Sequence, residues 1–341
     1  MLNTVYRLVA PGRIEVEFSD IDLLKEDVLV RPTHLSICHA DQRYFQGLRA
    51  TDILKQKLPM ALIHEAIGEI VWDPKGEFKA GERVVMIPST PMEEDSVIAE
   101  NYLRTSKFRA SGFDGFMQDV VNMRRDRIVR VPRNINPFVA AFTELVSVSV
   151  HAIDRFDKIA HERRKTVGIW GDGNLGYITA IFFKAMFPEV KLCIFGLDEN
   201  KLSDFTFADD TFSITSIPDD LSIDHAFECV GGEGSPKAIN QIIDYINPEG
   251  TISILGVSEN PVAINTRMIL EKGLRMFGSS RSGRKDFEKT IALYQSNPEI
   301  VEYLQNIIGA TVNVHTVEDM KKAFELDRQN AFGKTIMIWN K

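Results

Sequence analysis

The chain has 341 residues, and its composition of 44% hydrophobic and 26% charged residues is that of an ordinary globular protein. At about 100–200 residues per domain, this length predicts two domains. The net charge of -8 and the lack of a basic or aromatic-rich RNA motif argue against nucleic acid as a partner. Three cysteines, Cys38, Cys193 and Cys229, are too few and too scattered for a disulfide framework. With no N-terminal signal segment and no apolar run of about 18 residues, we expect no membrane contact and a cytoplasmic location.

The first third of the chain predicts an irregular all-β unit. Apolar and polar side chains alternate in residues 5–9, 14–18 and 27–31, which is typical of short strands in a half-buried antiparallel sheet. Two further strands are predicted within 59–71 and 78–87, and the pair His64-Glu65 leads into the first of them. The stretch that follows, 88–113, is polar, poorly periodic and free of cysteine.

The strongest motif lies in the turn Gly171-Asp172-Gly173-Asn174-Leu175-Gly176. A buried strand precedes this turn, and an apolar helix and a second strand follow it, which is the context of a dinucleotide-binding site. Gly171 permits the tight turn, Gly173 the close approach of a pyrophosphate, and Gly176 the close packing of the helix. Free N–H groups at the helix start, where Asn174 and Leu175 lie, face the phosphates. Taken alone, the glycine string could also be a flexible loop.

The rest of the chain completes two domains. After the motif, strands and a helix alternate as a doubly wound parallel sheet requires, in the order strand 226–230, helix 237–246 and strand 250–255. Residues 285–330 are predicted to be mainly helical and 334–339 to form a closing strand. We therefore predict an α/β fold. It comprises a catalytic domain of residues 1–145 completed by 285–341, a nucleotide domain of residues 146–284, and an active site in the cleft between them.

The end of the second strand of the motif predicts the choice of cofactor. An NAD-specific site places an acid at this position to accept hydrogen bonds from the ribose. Here the position is Gly196, and Asp198 lies two residues farther round the turn. Without the carboxylate there is no repulsion against a 2′-phosphate, and Lys201 can supply a cation, so we predict NADPH. The alternative is that Asp198 reaches back and NAD is used.

Four scattered residues suggest a metal site: Cys38, His64, Glu65 and Glu144. A catalytic zinc site combines thiolate, imidazole and carboxylate ligands and leaves one position open to substrate. Their spacing alone does not establish such a site, because it forms no local metal-binding pattern. Each residue also has an ordinary structural role open to it: a buried cysteine, a hydrogen-bonded core histidine, or an acid at a helix end or on the surface.

The order of these motifs resembles that of the medium-chain, zinc-dependent alcohol and polyol dehydrogenases. Ser36 to Asp41, His64-Glu65, Thr143 to Ser147 and the glycine turn follow one another as in that family. The resemblance implies a GroES-like catalytic domain and a Rossmann domain. It also implies that Cys38, His64, Glu65 and Glu144 hold a catalytic Zn²⁺ that polarises a carbonyl, with Glu65 as an exchangeable fourth ligand. His39 stands where the family offers a residue to the cofactor pyrophosphate, the alternative being a simple exposed histidine.

Three departures from the family pattern carry predictions. Residues 88–113 lack the four cysteines that bind a structural zinc in many members, so we predict the catalytic zinc alone. Ala40 replaces the Ser or Thr that relays protons, so the proton is expected to travel through Glu65 and water. Leu145 replaces the proline that usually follows Glu144, a change expected to affect the local turn alone.

Within the family, the chain is most similar to the ribulose-5-phosphate reductases. The similarity lies in long, distinctive stretches: 57–65, 98–102, 115–119, 169–178, 225–231 and 278–283. It implies that NADPH reduces ribulose 5-phosphate to ribitol 5-phosphate for CDP-ribitol and polyribitol-phosphate polymers of the teichoic acid type. Cations suited to a substrate phosphate are Arg43, Arg281, Arg284 and Lys285, although each alone is an ordinary surface cation.

The same resemblance implies partners, and two alternative functions stay open. It implies a homodimer joined near residues 274–277 and association with the cytidylyltransferase that consumes the product. One rival is an NAD-dependent polyol dehydrogenase acting on sorbitol or xylitol. Another is a protein of this scaffold that keeps NADPH but has lost catalysis, against which the complete set of predicted zinc ligands argues.

Overall fold

A computed structural model describes residues 1–23, 25, 27–330 and 332–341. The chain forms two compact units, one of Met1–Ser147 with Ser282–Lys341 and one of Val148–Arg281. These limits lie close to the predicted domain boundaries at 145 and 284. Among the described residues, no helix has both the length and the apolar character needed to cross a bilayer.

The strands and helices are numbered along the chain. The strands are β1 Leu2–Ala10, β2 Arg13–Asp20, β3 Val28–Ser36, β4 Met60–Ala61, β5 Glu65–Trp72, β6 Arg83–Met86, β7 Ser89–Thr90, β8 Lys107–Phe108, β9 Val121–Met123, β10 Ile128–Arg130, β11 Thr166–Trp170, β12 Lys191–Gly196, β13 Asp210–Ser213, β14 Ile223–Glu228, β15 Ile246–Ile254, β16 Arg275–Gly278, β17 Ile308–Val314 and β18 Lys334–Trp339. The helices are α1 His39–Phe45, α2 Thr51–Lys57, α3 Pro137–Ala141, α4 Thr143–Ile159, α5 Asn174–Met186, α6 Glu199–Ser203, α7 Ser235–Tyr245, α8 Thr266–Glu271, α9 Arg284–Ser296, α10 Pro298–Gln305 and α11 Val317–Gln329.

The first unit is built on a mainly antiparallel sheet. Its strand order is β10-β6-β5-β3-β18-β17, with β9 also paired to β3 and a smaller sheet β2-β1-β4 beside it. Buried apolar residues of both sheets and of α11 form one core, in which Tyr6 meets Trp339 edge to face and Phe45 stacks on Phe324. The last strand, β18, therefore lies between β3 from the start of the chain and β17 from its end.

Two features of the first unit differ from the prediction. Helices α1 and α2 interrupt the segment predicted as all-β, because the short polar stretch after Cys38 begins a capped helix. The region predicted as mainly helical contains the strand β17, which pairs in parallel with β18. Its seven residues alternate between exposed and half-buried or buried side chains, a short signal beside the helical pattern that flanks it.

The second unit is a six-stranded parallel sheet in the order β13-β12-β11-β14-β15-β16. The central strands β11, β12 and β14 are almost fully buried, as strands covered by helices on both faces are. The order reverses at β11, and ligands of such sheets bind at the carboxyl ends of the strands beside this reversal. The glycine turn lies there, between β11 and α5. The predicted fold class, a β-rich domain and a doubly wound parallel sheet, is confirmed.

Candidate active site

Three neighbouring strands of the first unit bring the predicted metal ligands together. β3 pairs with β18 on one side and with β5 on the other. Cys38 lies just past the end of β3, His64 and Glu65 lie at the start of β5, and Lys334 begins β18. Because these strand ends lie at the same edge of the sheet, Lys334 meets Glu65, which lies 269 residues earlier in the chain.

Cys38, His64 and Glu65 form a compact group of possible metal donors. One ligand atom from each lies within 4.8 Å of the others, and His64 and Glu65 are buried. Glu144, the second residue of α4, is outside this group but close to it and is itself buried. Its burial and the charge of Glu65 raise the pKa of Glu144 to about 7, although the nearby His64 and Lys334 oppose this rise.

Asp41 is a buried carboxylate that organises the group. Its oxygens accept hydrogen bonds from the backbone N–H groups of Cys38 and Ile63, at 3.2 and 3.0 Å. The same carboxylate lies 3.4 Å from Nδ1 of His64, which leaves Nε2 as the nitrogen for a ligand. Asp41 was not among the predicted site residues. The signal for it was its position three residues after Cys38, where a helix begins.

Lys334 is the second residue that the sequence did not reveal. Its ammonium lies 2.9 Å from Oε1 and 2.8 Å from Oε2 of Glu65, and both side chains are buried. Although burial alone lowers the pKa of Lys334, Glu65 and Cys38 raise it above its ordinary value, so it is charged. Nothing near Lys334 in the chain suggested this role, because its partner lies 269 residues away.

The charges of this site fit a divalent cation. Asp41, Glu65 and Glu144 are three buried carboxylates beside a thiol, and the Lys334 ammonium contacts the carboxylate of Glu65. Burial and the charge of Glu65 raise the pKa of the Cys38 thiol. Uncompensated buried negative charge is costly, and a bound Zn²⁺ would neutralise it and favour the thiolate. Sulfur, nitrogen and oxygen donors of this kind are those that zinc prefers.

A group of cations lies beside the predicted zinc ligands. Burial and the positive charges of Arg43 and Arg49 lower the pKa of His39, which follows Cys38 in the chain. Arg43 donates a hydrogen bond to the Leu48 carbonyl at 3.3 Å, and the Arg49 guanidinium stands 5.1 Å above the Tyr44 ring. Arg49 was not predicted, since it stands in a loop without a motif.

The other predicted phosphate cations are placed differently. Arg284 donates hydrogen bonds to Glu288 at 2.7 Å and to the Ile128 carbonyl at 3.1 Å, so its guanidinium is occupied within the first unit. Arg281 is exposed at the end of the second unit and has a positive φ of 57°. Lys285 is also exposed.

The glycine turn has the geometry that a dinucleotide site needs. Gly171 has φ of +127°, which side chains rarely adopt, and Gly173 precedes the first turn of α5 with open space around it. A Cβ on Gly176 would lie 1.9 Å from the Gly171 carbonyl oxygen. Asn174 and Leu175 form the first turn of α5, as predicted. Of the three glycines of the turn, Gly173 is therefore the one with open space beside its backbone.

Asp172 occupies the place next to Gly196. One of its carboxylate oxygens accepts hydrogen bonds from the backbone N–H groups of Leu197 and Asp198, at 2.7 and 2.8 Å. A Cβ on Gly196 would lie 2.7 Å from this side chain. The Asp198 carboxylate caps α6 by accepting from the N–H groups of Asn200 and Lys201. Asp198 is thus engaged at the helix start, which disfavours the alternative that it reaches back to a ribose.

Two hydroxyl groups lie near the carboxyl end of β12 in the second unit. Ser213 is the register partner of Gly196 in the parallel pair β12–β13, and its hydroxyl lies 2.9 Å from that of Thr215. These hydroxyls and Lys201 are suited to a 2′-phosphate. The sequence did not predict them, because β13 is a four-residue strand of half-exposed side chains.

Comparison with known proteins places the chain in a family. The model of the alcohol dehydrogenase GroES-like domain matches residues 24–133, and that of the zinc-binding dehydrogenases matches residues 203–296. Ribulose-5-phosphate reductase 2 of Staphylococcus aureus is 54% identical, with 99% of each chain covered. The chain belongs to the zinc-binding dehydrogenase family. This family assignment confirms the resemblance seen in the sequence.

Two further relatives cover the whole chain. Ribulose-5-phosphate reductase of Bacillus spizizenii is 52% identical over 99% of each chain. The crystal structure of S. aureus TarJ in complex with NADPH is 49% identical, covers 100% of both chains and superposes with a TM-score of 0.91. This zinc-binding dehydrogenase therefore shares its fold with TarJ and matches both proteins along its full length.

Proposed function

We propose that this zinc-binding dehydrogenase reduces the C2 carbonyl of D-ribulose 5-phosphate to give D-ribitol 5-phosphate, with NADPH as the hydride donor. Full-length relatives at 52–54% identity that are named ribulose-5-phosphate reductases support this substrate. The chain is an oxidoreductase of the zinc-dependent type, and the predicted cofactors, Zn²⁺ and NADPH, are confirmed. The observation that carries the proposal is the compact donor group of Cys38, His64 and Glu65, with Arg43 and Arg49 close to the neighbouring His39.

The residues of the first unit prepare the carbonyl for reduction. Cys38 and His64 would hold Zn²⁺ with Glu144 or Glu65, and a bound Zn²⁺ supplies Lewis acidity toward a ketone oxygen. Asp41 fixes the tautomer and orientation of the His64 imidazole, as carboxylates do behind metal-bound histidines. The burial of Asp41, His64, Glu65 and Glu144 limits the access of water and strengthens their electrostatic effect. The proton path past Ala40, through Glu65 and water, stays a prediction.

The residues of the second unit hold the hydride donor. N–H groups at the start of α5 and the open space at Gly173 suit the pyrophosphate, while Lys201, Ser213 and Thr215 suit the 2′-phosphate. His39, which belongs to the first unit, is a further residue that the family resemblance implies for the pyrophosphate.

Steady-state kinetics tests the proposed substrate and cofactor. We expect turnover of ribulose 5-phosphate with NADPH to exceed that of xylulose or fructose with NADH by at least about a thousandfold in kcat/KM, since the phosphate and the 2′-phosphate each add charged hydrogen bonds. Equal or better turnover of the unphosphorylated sugars with NADH would favour the polyol dehydrogenase. No NADPH oxidation by any ketose phosphate, with less than about one zinc per chain, would favour the non-catalytic alternative.

The cations beside His39 are our proposed site for the substrate phosphate. Replacing Arg49 by glutamine, or Arg43 by glutamine, should raise KM for ribulose 5-phosphate about 10–100-fold, because each removes a charged hydrogen bond worth about 1.5–3 kcal/mol. Turnover of unphosphorylated ribulose should not change. The exposed Arg13, replaced in the same way, is the matched control. An equal loss with both sugars would place Arg49 and Arg43 outside the phosphate site.

The contact of Asp172 with Gly196 predicts how the cofactor preference can be changed. Gly196→Asp alone should weaken NADPH binding about tenfold or more without improving NADH binding, because the new side chain meets Asp172. Asp172→Ala combined with Gly196→Asp makes room for the carboxylate and should improve NADH binding. Fluorescence titration of both cofactors measures this. Improved NADH binding in Gly196→Asp alone would show that Asp172 is no obstacle.

The assembly and cellular context remain proposals. β16 is an edge strand of the parallel sheet, and an edge strand offers unpaired backbone groups to a second copy, which supports the proposed homodimer. Sedimentation equilibrium measures its mass, and a monomer at micromolar concentration would contradict it. Association with a cytidylyltransferase, synthesis of teichoic acid precursors and a cytoplasmic location rest on the resemblance, and failure to co-purify the two proteins would count against the association.

A further inference from the structure

Glu228 is a fully buried acid at the carboxyl end of β14, in the second unit. One oxygen of its carboxylate accepts hydrogen bonds from the backbone N–H groups of Val230 and Gly231, at 3.1 and 2.8 Å. The other oxygen accepts from the N–H of Gly256 at 3.1 Å. Because a buried carboxylate is costly unless hydrogen bonds satisfy it, these three backbone donors account for its place in the interior.

The same hydrogen bonds join two loops that follow neighbouring strands. Gly231 lies in the loop after β14, and Gly256 lies in the loop after β15. The Gly232 N–H also donates to the Val257 carbonyl at 2.9 Å, across the same two loops. The approach is so close that a Cβ on Gly256 would lie 2.3 Å from the Gly231 nitrogen and 2.6 Å from a carboxylate oxygen of Glu228. The Glu228 side chain therefore sets the separation of the two loops.

These loops lie where the second half of a dinucleotide is expected. β12 and β14 flank β11 on opposite sides, and the hydroxyls suited to the 2′-phosphate lie near the end of β12, beside Gly196. A dinucleotide that crosses this edge with its pyrophosphate at Gly173 has its nicotinamide half on the β14 side. A Cβ on Gly171 would lie 3.0 Å from the carbonyl carbon of Cys229, so the glycine turn lies directly against the loop after β14.

We propose that Glu228 is a positioning residue for the nicotinamide half of NADPH. Its carboxylate keeps the loops after β14 and β15 at one separation, and these loops carry the exposed apolar side chains of Val230 and Val257, with exposures of 43% and 74%. Exposed apolar side chains suit one face of a planar ring. Because Glu228 itself is buried, it acts through the loops. The proposal rests on the NADPH of the proposed function but not on its sugar substrate.

Glu228→Gln tests the proposal by comparing two ligands that differ in the nicotinamide half. The amide NH₂ of glutamine cannot accept a hydrogen bond, so at least one of the three bonds to the loops is lost. We expect the Kd of NADPH to rise about tenfold, whereas the Kd of adenosine 2′,5′-bisphosphate should stay within about twofold of its ordinary value. Isothermal titration calorimetry measures both constants. Equal weakening of the two ligands, or unchanged binding of NADPH, would overturn the proposal.

Asp224, near the start of the same strand, supplies the matched control. It is also a buried carboxylate, and one of its oxygens accepts from the backbone N–H groups of Lys165 and Thr166, at 2.8 and 3.3 Å. Asp224→Asn should lower the melting temperature, as Glu228→Gln does, and should leave the binding of both ligands unchanged. A tenfold loss of NADPH affinity in Asp224→Asn would mean that general loosening of the second unit explains the effect, against the proposal.

Hydrogen exchange of the unchanged protein gives a result even if Glu228→Gln does not fold. With each ligand at saturation, we expect NADPH to slow the amide exchange of residues 229–233 and 255–259 at least about threefold more than adenosine 2′,5′-bisphosphate does. Equal protection by the two ligands would show that these loops do not contact the nicotinamide half, and the proposal would then be wrong. Neither measurement uses a sugar, so a failure of the proposed substrate would leave both results intact.

Discussion

Replacing Cys38 by serine is expected to remove the zinc and to lower kcat/KM for ribulose 5-phosphate by about a thousandfold. The hydroxyl of serine is a poor zinc ligand, and loss of Lewis acidity toward the ketone removes several kcal/mol of stabilisation as the alkoxide develops. Zinc per chain, measured by atomic emission, and initial rates of NADPH oxidation check this result.

Cys193 supplies the control for this substitution. It is buried in β12 of the second unit, outside the donor group. Cys193→Ala should keep about one zinc per chain and most of the activity, because it removes a buried thiol without touching a ligand. Retention of zinc and of more than about a tenth of the activity in Cys38→Ser would contradict the assignment of Cys38 as a ligand.

Gly173→Ala should weaken NADPH binding about 10–100-fold while leaving the melting temperature unchanged. The space around Gly173 is open, and its φ of -90° suits alanine, so the free protein has room for the methyl group. A bound pyrophosphate would approach this backbone closely, and the overlap is expected to cost about 1–3 kcal/mol. Titration with NADPH and thermal unfolding measure the two effects.

Gly176→Ala provides the contrast. Its new methyl group would lie 1.9 Å from the Gly171 carbonyl oxygen, so the turn itself must deform and the melting temperature should fall. Ordinary NADPH binding by Gly173→Ala would mean that the cofactor does not approach this turn, whatever the result for Gly176→Ala.

The sequence predicted those parts of the protein that depend on local order. The glycine turn, its flanking strands and its helix are contiguous, so their periodicity and spacing predict a dinucleotide domain. Cys38, His64 and Glu65 were predicted as ligands through the resemblance, and the structure brings them within 4.8 Å of one another. Their metal-binding role itself stays a prediction until the zinc measurements above are made.

The sequence could not predict contacts that depend on strand pairing across the chain. Lys334 meets Glu65 because β18 is inserted beside β3, and no local pattern reports such an insertion. The strand β13 is too short and too exposed to show a period, so Ser213 was missed beside Gly196. Arg49 was missed because it lies in a loop, where the neighbours of a side chain cannot be predicted before the fold is known. Such residues act through tertiary position and have no sequence signature.

Transfer of deuterium from NADPH that is dideuterated at nicotinamide C4 tests the central claim most directly. With zinc-loaded protein and ribulose 5-phosphate, we expect one deuterium at C2 of the ribitol 5-phosphate formed, as nuclear magnetic resonance of the product would show. After zinc is removed by a chelator, product formation should stop, and it should return when zinc is restored. Deuterium at another carbon, or undiminished transfer without zinc, would contradict a zinc-assisted hydride transfer to the C2 carbonyl.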